Sequence, residues 1–154
     1  MPKPKLGDPT DFSYRINKVT KVVDGDTIDV IIDVGFDILY KSRVRLFGID
    51  TPESRTRDKI EKKFGLASKA MLKRILGKDT VLKTTINKKG VDMKGKFGRV
   101  LGDFLIDDKS VATIMCETGH AVAYFGGNKD ELDAKHMTNR RKLVAEGVVT
   151  GAIE

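Results

Sequence analysis

The residue pattern predicts an α+β fold, mainly β: a small barrel of five strands with about three helices. Three observations carry this expectation. Residues 12–23 and 27–34 are rich in β-branched side chains around an Asp-Gly-Asp turn, apolar residues recur at helical spacing from Ile60 to Ile75, and two further strand-like runs follow that helix. At 154 residues the chain has the size of one domain and can bury a core.

Taken in order, residues 1–10 are expected to be a flexible arm and residues 11–154 a single domain with neither repeat nor linker. Phe12 to Val23 and Thr27 to Val34 form the first two strands, joined at "DGD". In the third, "ILYKSRVRLFGI", Tyr40, Ser42, Val44 and Leu46 share one face and Lys41, Arg43, Arg45 and Phe47 the other. Arg45 therefore has an apolar neighbour on its own face. Ile60, Phe64, Ala67, Met71 and Ile75 mark a helix that Gly77 ends. Residues 80–87 and 98–106 supply the fourth and fifth strands around "KKGVDMKGK". A second helix runs from about Ser110, a good N-cap, to Gly119 with Val111, Ile114 and Met115 inward, and a third, weakly amphipathic, lies near Lys129 to Glu146. Three strands, a helix, two strands and more helices is the order of a Greek-key barrel of the OB type, which commonly binds nucleic acids.

Charge points the same way. The chain carries +7, and residues 55–99 alone hold 15 Lys/Arg against 4 Asp/Glu. The middle of the chain thus carries the whole surplus, which favours a polyanionic partner. The one cysteine, Cys116, excludes an intramolecular disulfide, and with only His120 and His136 beside it argues against a closed structural zinc site. No apolar run approaches membrane-spanning length, and the first residues lack the apolar stretch of a secretion signal. A soluble, cytoplasmic monomer without a membrane partner is the expectation, although secretion stays open if a leader was removed.

Two short motifs carry the chemistry. "VVDGDT" reads as a hairpin turn, but its second acid is unexplained: Asp24 and Asp26 flank one glycine and repel each other unless a cation sits nearby. The spacing does not fit an EF-hand loop, since the sixth position is Asp29 and the twelfth Gly35. "GIDTPE" can be a helix start, with Thr51 as N-cap, Pro52 in the first position and Glu53 in the first turn. That reading leaves Asp50 unused. A hard cation takes oxygen ligands, so Asp26, Asp50 and a backbone carbonyl around Thr51 could form a partial shell completed by water and substrate. Arg45 and Arg99 suit the phosphate oxygens of a hydrolysed diester, and Glu53 is free to orient or deprotonate water.

Together "VVDGDTIDV", "RVRLFGIDTPE", "EKKFGLASKAM", "KGKFGRVLGDFLI" and "ETGHAVAY" resemble the staphylococcal nuclease (thermonuclease) family over about residues 18–125. The resemblance implies Asp26 and Asp50 as ligands of one calcium ion, or another divalent cation in its place, with the main-chain oxygen of Thr51 and support from Asp24. It implies Glu53 as general base or water-orienting group and Arg45 and Arg99 as phosphate clamps. Lys96 and Tyr124 fall where family members contact substrate. The implied activity is calcium-dependent hydrolysis of DNA and RNA to 3′-phosphate products. Phe97 stands where the type member has tyrosine, "IDVGFDILYKS" lengthens a hairpin, and the C-terminal helix lacks tryptophan. Two rivals stand beside it: a non-catalytic OB-fold nucleic-acid-binding module, and a phosphodiesterase for small nucleotides.

Overall fold

The computed structural model describes residues 12–77, 79–85, 94 and 98–154. The expected arm at 1–10 and most of the turn "KKGVDMKGK" lie outside the described residues. β1 (Ser13–Asp24), β2 (Thr27–Asp33) and β3 (Leu39–Leu46) form an antiparallel meander. A two-residue β4 (Ile49–Asp50) leads to α1 (Lys59–Ile75), then come β5 (Val81–Thr84), β6 (Val100–Ile106) and the short β7 (Lys109–Ser110). α2 (Val111–Glu117), β8 (Val122–Ala123) and α3 (Lys129–Ala145) complete the chain.

The strands run β3-β2-β1-β5-β6-β7, and a parallel β3–β6 pairing closes the sheet into a barrel. Its five long strands and three helices are the mainly β, OB-type α+β architecture that the element order predicts. Closure demands a strongly coiled strand. β1 supplies it: the register against β2 shifts between Ile16 and Lys18, between Val19 and Lys21 and between Val22 and Asp24. Inward alternation fills the interior with Ile28, Val30, Val44, Leu46, Leu82 and Phe104, capped by Leu72 of α1 and Val111 and Met115 of α2. Burying each such side chain contributes about 1.5–3 kcal/mol. Of the residues expected to point inward from α2, Val111 and Met115 are buried but Ile114 only partly; Ala112 takes the remaining inner position.

The alternative reading of "GIDTPE" as a helix start at Thr51 does not hold. Residues 51–58 are irregular, and α1 begins at Lys59 because the Asp58 carboxylate accepts from the N–H groups of Ile60 and Glu61 at 3.0 and 3.1 Å. Its far end is not set by a left-handed glycine either; Leu76 takes an extended conformation as C-cap. α1 lies hard against that irregular segment. A Cβ at Gly65 would stand 2.2 Å from the Glu53 carbonyl oxygen, and one at Gly25 would stand 2.7 Å from the Ser68 Cβ. Both glycines are therefore required by close approach, and both hold the acid-bearing turns against the helix.

α3 follows a different rule. Only Leu143 is buried along it, joining Phe64 and Val149 in a small second core. Val144 packs partly buried against it, and polar contacts add to the docking: Asn139 donates to the Ala121 carbonyl at 3.0 Å, Lys142 to the Glu117 carbonyl at 2.8 Å and Arg140 to the Ile153 carbonyl at 2.8 Å. No helix among the described residues is long and apolar enough to cross a membrane.

Candidate active site

Asp26 sits in the turn after β1, Arg45 near the end of β3 and Asp50 in β4, so three strand ends converge. The barrel register makes this geometry. Thr27 pairs with Arg45, and the Leu46 N–H donates to the Asp26 carbonyl at 2.8 Å, which brings the Asp-Gly-Asp turn over the end of β3. β4 is pinned by β8, Ile49 opposite Ala123 and Asp50 opposite Val122.

Arg45 organises the centre. Its guanidinium donates to the carbonyls of Leu46 and Ile49, the latter at 2.8 Å. One of its terminal nitrogens lies 3.3 Å from Asp26 Oδ2 and 4.0 Å from Asp50 Oδ1. The two carboxylates thus face a single point, Asp26 from the turn after β1 and Asp50 from β4. Asp26 is also fixed from the other side, where the Thr27 hydroxyl donates to Oδ1 at 2.9 Å. Thr51 is buried beside this point, with its methyl carbon 3.2 Å from where a Gly25 Cβ would lie.

Asp24 does something separate. Its Oδ1 accepts from the Ser54 N–H at 3.2 Å and from the Ser54 hydroxyl. This ties the end of β1 to the residue following Glu53, across thirty positions of chain. Glu53 is exposed as a residue, yet partial burial of its carboxyl raises its pKa above the ordinary value, and the negative charges of Asp24, Asp26, Asp50 and Glu61 push the same way. Four carboxylates therefore influence one proton.

His136 of α3 was not anticipated from the sequence. Its Nε2–H donates to Asp50 Oδ2 at 2.7 Å, leaving Oδ1 toward Arg45 and Asp26. The imidazole is only 14% exposed. No spacing rule could have found it, because the two residues are 86 positions apart.

The remaining candidates lie around this centre. Arg99 lines a cavity of about 360 Å³ with Asp24, Thr27, Arg43 and Arg55. Tyr124 lies on the other flank, its N–H donating to the Gly48 carbonyl at 2.8 Å, in a separate depression bordered by α3. Lys96 and Phe97 are outside the described residues. The donor set suits a hard divalent cation: two carboxylates and a neighbouring main-chain oxygen, all oxygen. Among the described residues no group of three or more His, Cys, Asp and Glu gathers at ligand distance. A cation here would draw the rest of its shell from water and substrate.

No individual curated protein matches the chain. A family model, described as staphylococcal nuclease homologue, matches residues 43–146. That stretch contains Arg45, Asp50, Thr51, Glu53, Arg99 and His136, while Asp24 and Asp26 precede it and join the site through Ser54 and Arg45. The match covers more than half of the chain and runs from the middle of β3 to the end of α3, and on that basis the chain belongs to the staphylococcal nuclease homologue family.

Proposed function

We propose that this protein is a calcium-dependent nuclease that hydrolyses phosphodiester bonds of DNA and RNA by in-line attack of water, leaving 3′-phosphates. The observation that carries the reading is the pair of carboxylates, Asp26 and Asp50, facing one Arg45 nitrogen at 3.3 and 4.0 Å with Glu53 close by. Asp26, Asp50 and the Thr51 carbonyl are the residues that would hold one calcium ion or a similar divalent cation. Such an ion, when bound, polarises the phosphate and offsets the negative charge of the cluster.

The protein's own groups divide the remaining work. Glu53 orients the attacking water and accepts its proton. Arg45 and Arg99 donate to the non-bridging oxygens, where negative charge grows as the water attacks; planar guanidinium groups meet such oxygens through paired hydrogen bonds. Asp24 holds the Glu53 segment through Ser54. His136 turns Asp50 so that one oxygen faces the centre. Lys96 and Tyr124 act as outer substrate contacts. The basic span 55–99 favours a long polyanion over a small nucleotide.

Incubating plasmid DNA with the protein in calcium and in chelator tests the reading. Cleavage confined to the calcium tube, with products ending in 3′-phosphate, supports it. Equal cleavage in both tubes removes the metal from the mechanism. Tight binding without any cleavage leaves the binding-module alternative.

A further inference from the structure

β1 and α1 enclose a groove of about 470 Å³ that has no role in the chemistry above and shares no lining residue with the cavity of Arg99. Three lysines reach it, Lys21 from β1 and Lys69 and Lys73 from α1, and its remaining walls are Val19, Thr20 and Val22 of β1 and Leu76, the C-cap of α1. No carboxylate lines it. Among the described residues none of the three lysines forms an ion pair. The acid nearest to them in strand register is Asp29, opposite Lys21, and Arg43 holds it through two hydrogen bonds at 2.7 and 3.1 Å. The Arg43 hydrogen bond above all lowers the Asp29 pKa, and the field of Lys21 adds least. Arg43 thus balances Asp29, and the groove keeps the charge of its lysines.

Lys69 and Lys73 are one helical turn apart, where like charges repel, and β1 adds a third cation to the pair. An anion seated among them removes that repulsion. The wall narrows what the anion is. Val19, Val22 and Leu76 give the lysine stems an apolar bed, but no lining residue is aromatic, so the groove offers no face on which a base could stack. Ammonium groups on long stems follow a chain of phosphates without reading bases. The groove also begins beside the candidate site. A Cβ at Gly25, between Asp24 and Asp26, would stand 2.7 Å from the Ser68 Cβ, and Lys69 follows Ser68 along α1. Lys21 lies on β1 just before the same turn. A strand that leaves the centre over this turn meets the lysines next.

We propose that the groove of Lys21, Lys69 and Lys73 is a docking surface for the backbone phosphates of a polynucleotide outside the cleavage centre. This inference rests on the reading of the protein as one that acts on polynucleotides. The groove holds the strand on the β1 and α1 side of the Asp-Gly-Asp turn, and it contributes affinity without contributing to the chemistry.

The test is equilibrium binding of a fluorescently labelled single-stranded 20-nucleotide oligomer, in chelator so that nothing is cut, across a series of salt concentrations. Lys69→Ala combined with Lys73→Ala is expected to weaken binding about 10-fold or more and to reduce the slope of log affinity against log salt by about two phosphate contacts. Lys109→Ala combined with Lys129→Ala removes two exposed charges elsewhere and keeps the wild-type slope. A second measurement needs no variant: bound oligomer should shield Lys21, Lys69 and Lys73 from an amine-acetylating reagent, read by peptide mass spectrometry, while Lys109 stays reactive. Circular dichroism of each variant checks folding. An unchanged slope in the groove variant, an equal drop in the control variant, or acetylation of the three lysines at the free rate overturns the docking surface. Loss of binding to phosphatidylserine vesicles with oligomer binding intact overturns it as well and makes the groove a membrane contact. Because no cleavage is measured, a protein that shows the slope change and the shielding yet cuts nothing in calcium contradicts the hydrolase reading and leaves the docking surface standing.

Discussion

His136 Nε2 and Asp50 Oδ2 meet at 2.7 Å, so the C-terminal helix reaches directly into the carboxylate cluster. A helix with almost no apolar stripe is thereby coupled to the strand ends that carry the acids. Partners of this kind orient a carboxylate and influence how well it holds a cation. Replacing His136 by Ala should lower calcium affinity about 10-fold. Isothermal titration measures this, and thermal unfolding in chelator separates it from a folding defect. Unchanged affinity would mean that the contact merely anchors α3.

Arg45 and Arg99 should respond differently to substitution. Arg99→Ala is expected to reduce turnover by about 3 to 4 kcal/mol of transition-state stabilisation, as for a lost oxyanion donor. Arg45→Ala should do the same and also destabilise the fold, since Arg45 bonds the Leu46 and Ile49 carbonyls and lies beside Asp26. Steady-state kinetics paired with urea unfolding checks both. Near-normal turnover in either variant shows that its arginine was misassigned.

Gly65→Ala should destabilise the protein by about 3 kcal/mol, since the added methyl would overlap the Glu53 carbonyl at 2.2 Å and force α1 and the acid-bearing segment apart. Urea denaturation gives the value. A loss below about 0.5 kcal/mol, the range of ordinary surface changes, would mean that the helix and segment separate freely.

A pH prediction follows from His120. The residue is buried, and its Nδ1 has no hydrogen-bond partner among the described residues. Burial first, and then the charge of Arg74, lower its pKa below the ordinary 6.5; Lys142 acts in the same direction and Glu146 against it. The unfolded chain therefore takes up this proton at a higher pH than the folded one. The contribution to stability is complete above about pH 6.5 and is lost as pH falls toward the depressed folded value. Urea midpoints in chelator should decline from pH 7.5 to 5.5 in the wild type and less steeply in His120→Leu. Identical slopes would assign the decline to other groups.

The barrel was legible because its signals are local. The β-branched runs of β1 and β2, the alternation in β3, the Asp-Gly-Asp turn and the Ile60 to Ile75 periodicity each lie within a few residues of the structure they specify. α3 was placed within a residue despite its weak stripe, but what docks it was not legible, because Asn139, Lys142 and Arg140 bond carbonyls distant in sequence. Thr51 misled as a cap because Thr-Pro-Glu satisfies the local rule, whereas close packing against Gly65 keeps that segment irregular and moves the start to Asp58. For the site, acids in short motifs stood out from their neighbours. Their partners did not: Ser54 for Asp24 and His136 for Asp50 become visible only when the fold brings segments distant in sequence together.

The central claim is that the Glu53 carboxylate acts on water beside Asp26 and Asp50. Its most direct test is the single-turnover cleavage rate of a single-stranded oligonucleotide at saturating calcium, wild type against Glu53→Gln. The account predicts a fall of roughly 10²- to 10⁴-fold with oligonucleotide affinity retained. A Glu53→Gln rate close to wild type would contradict it.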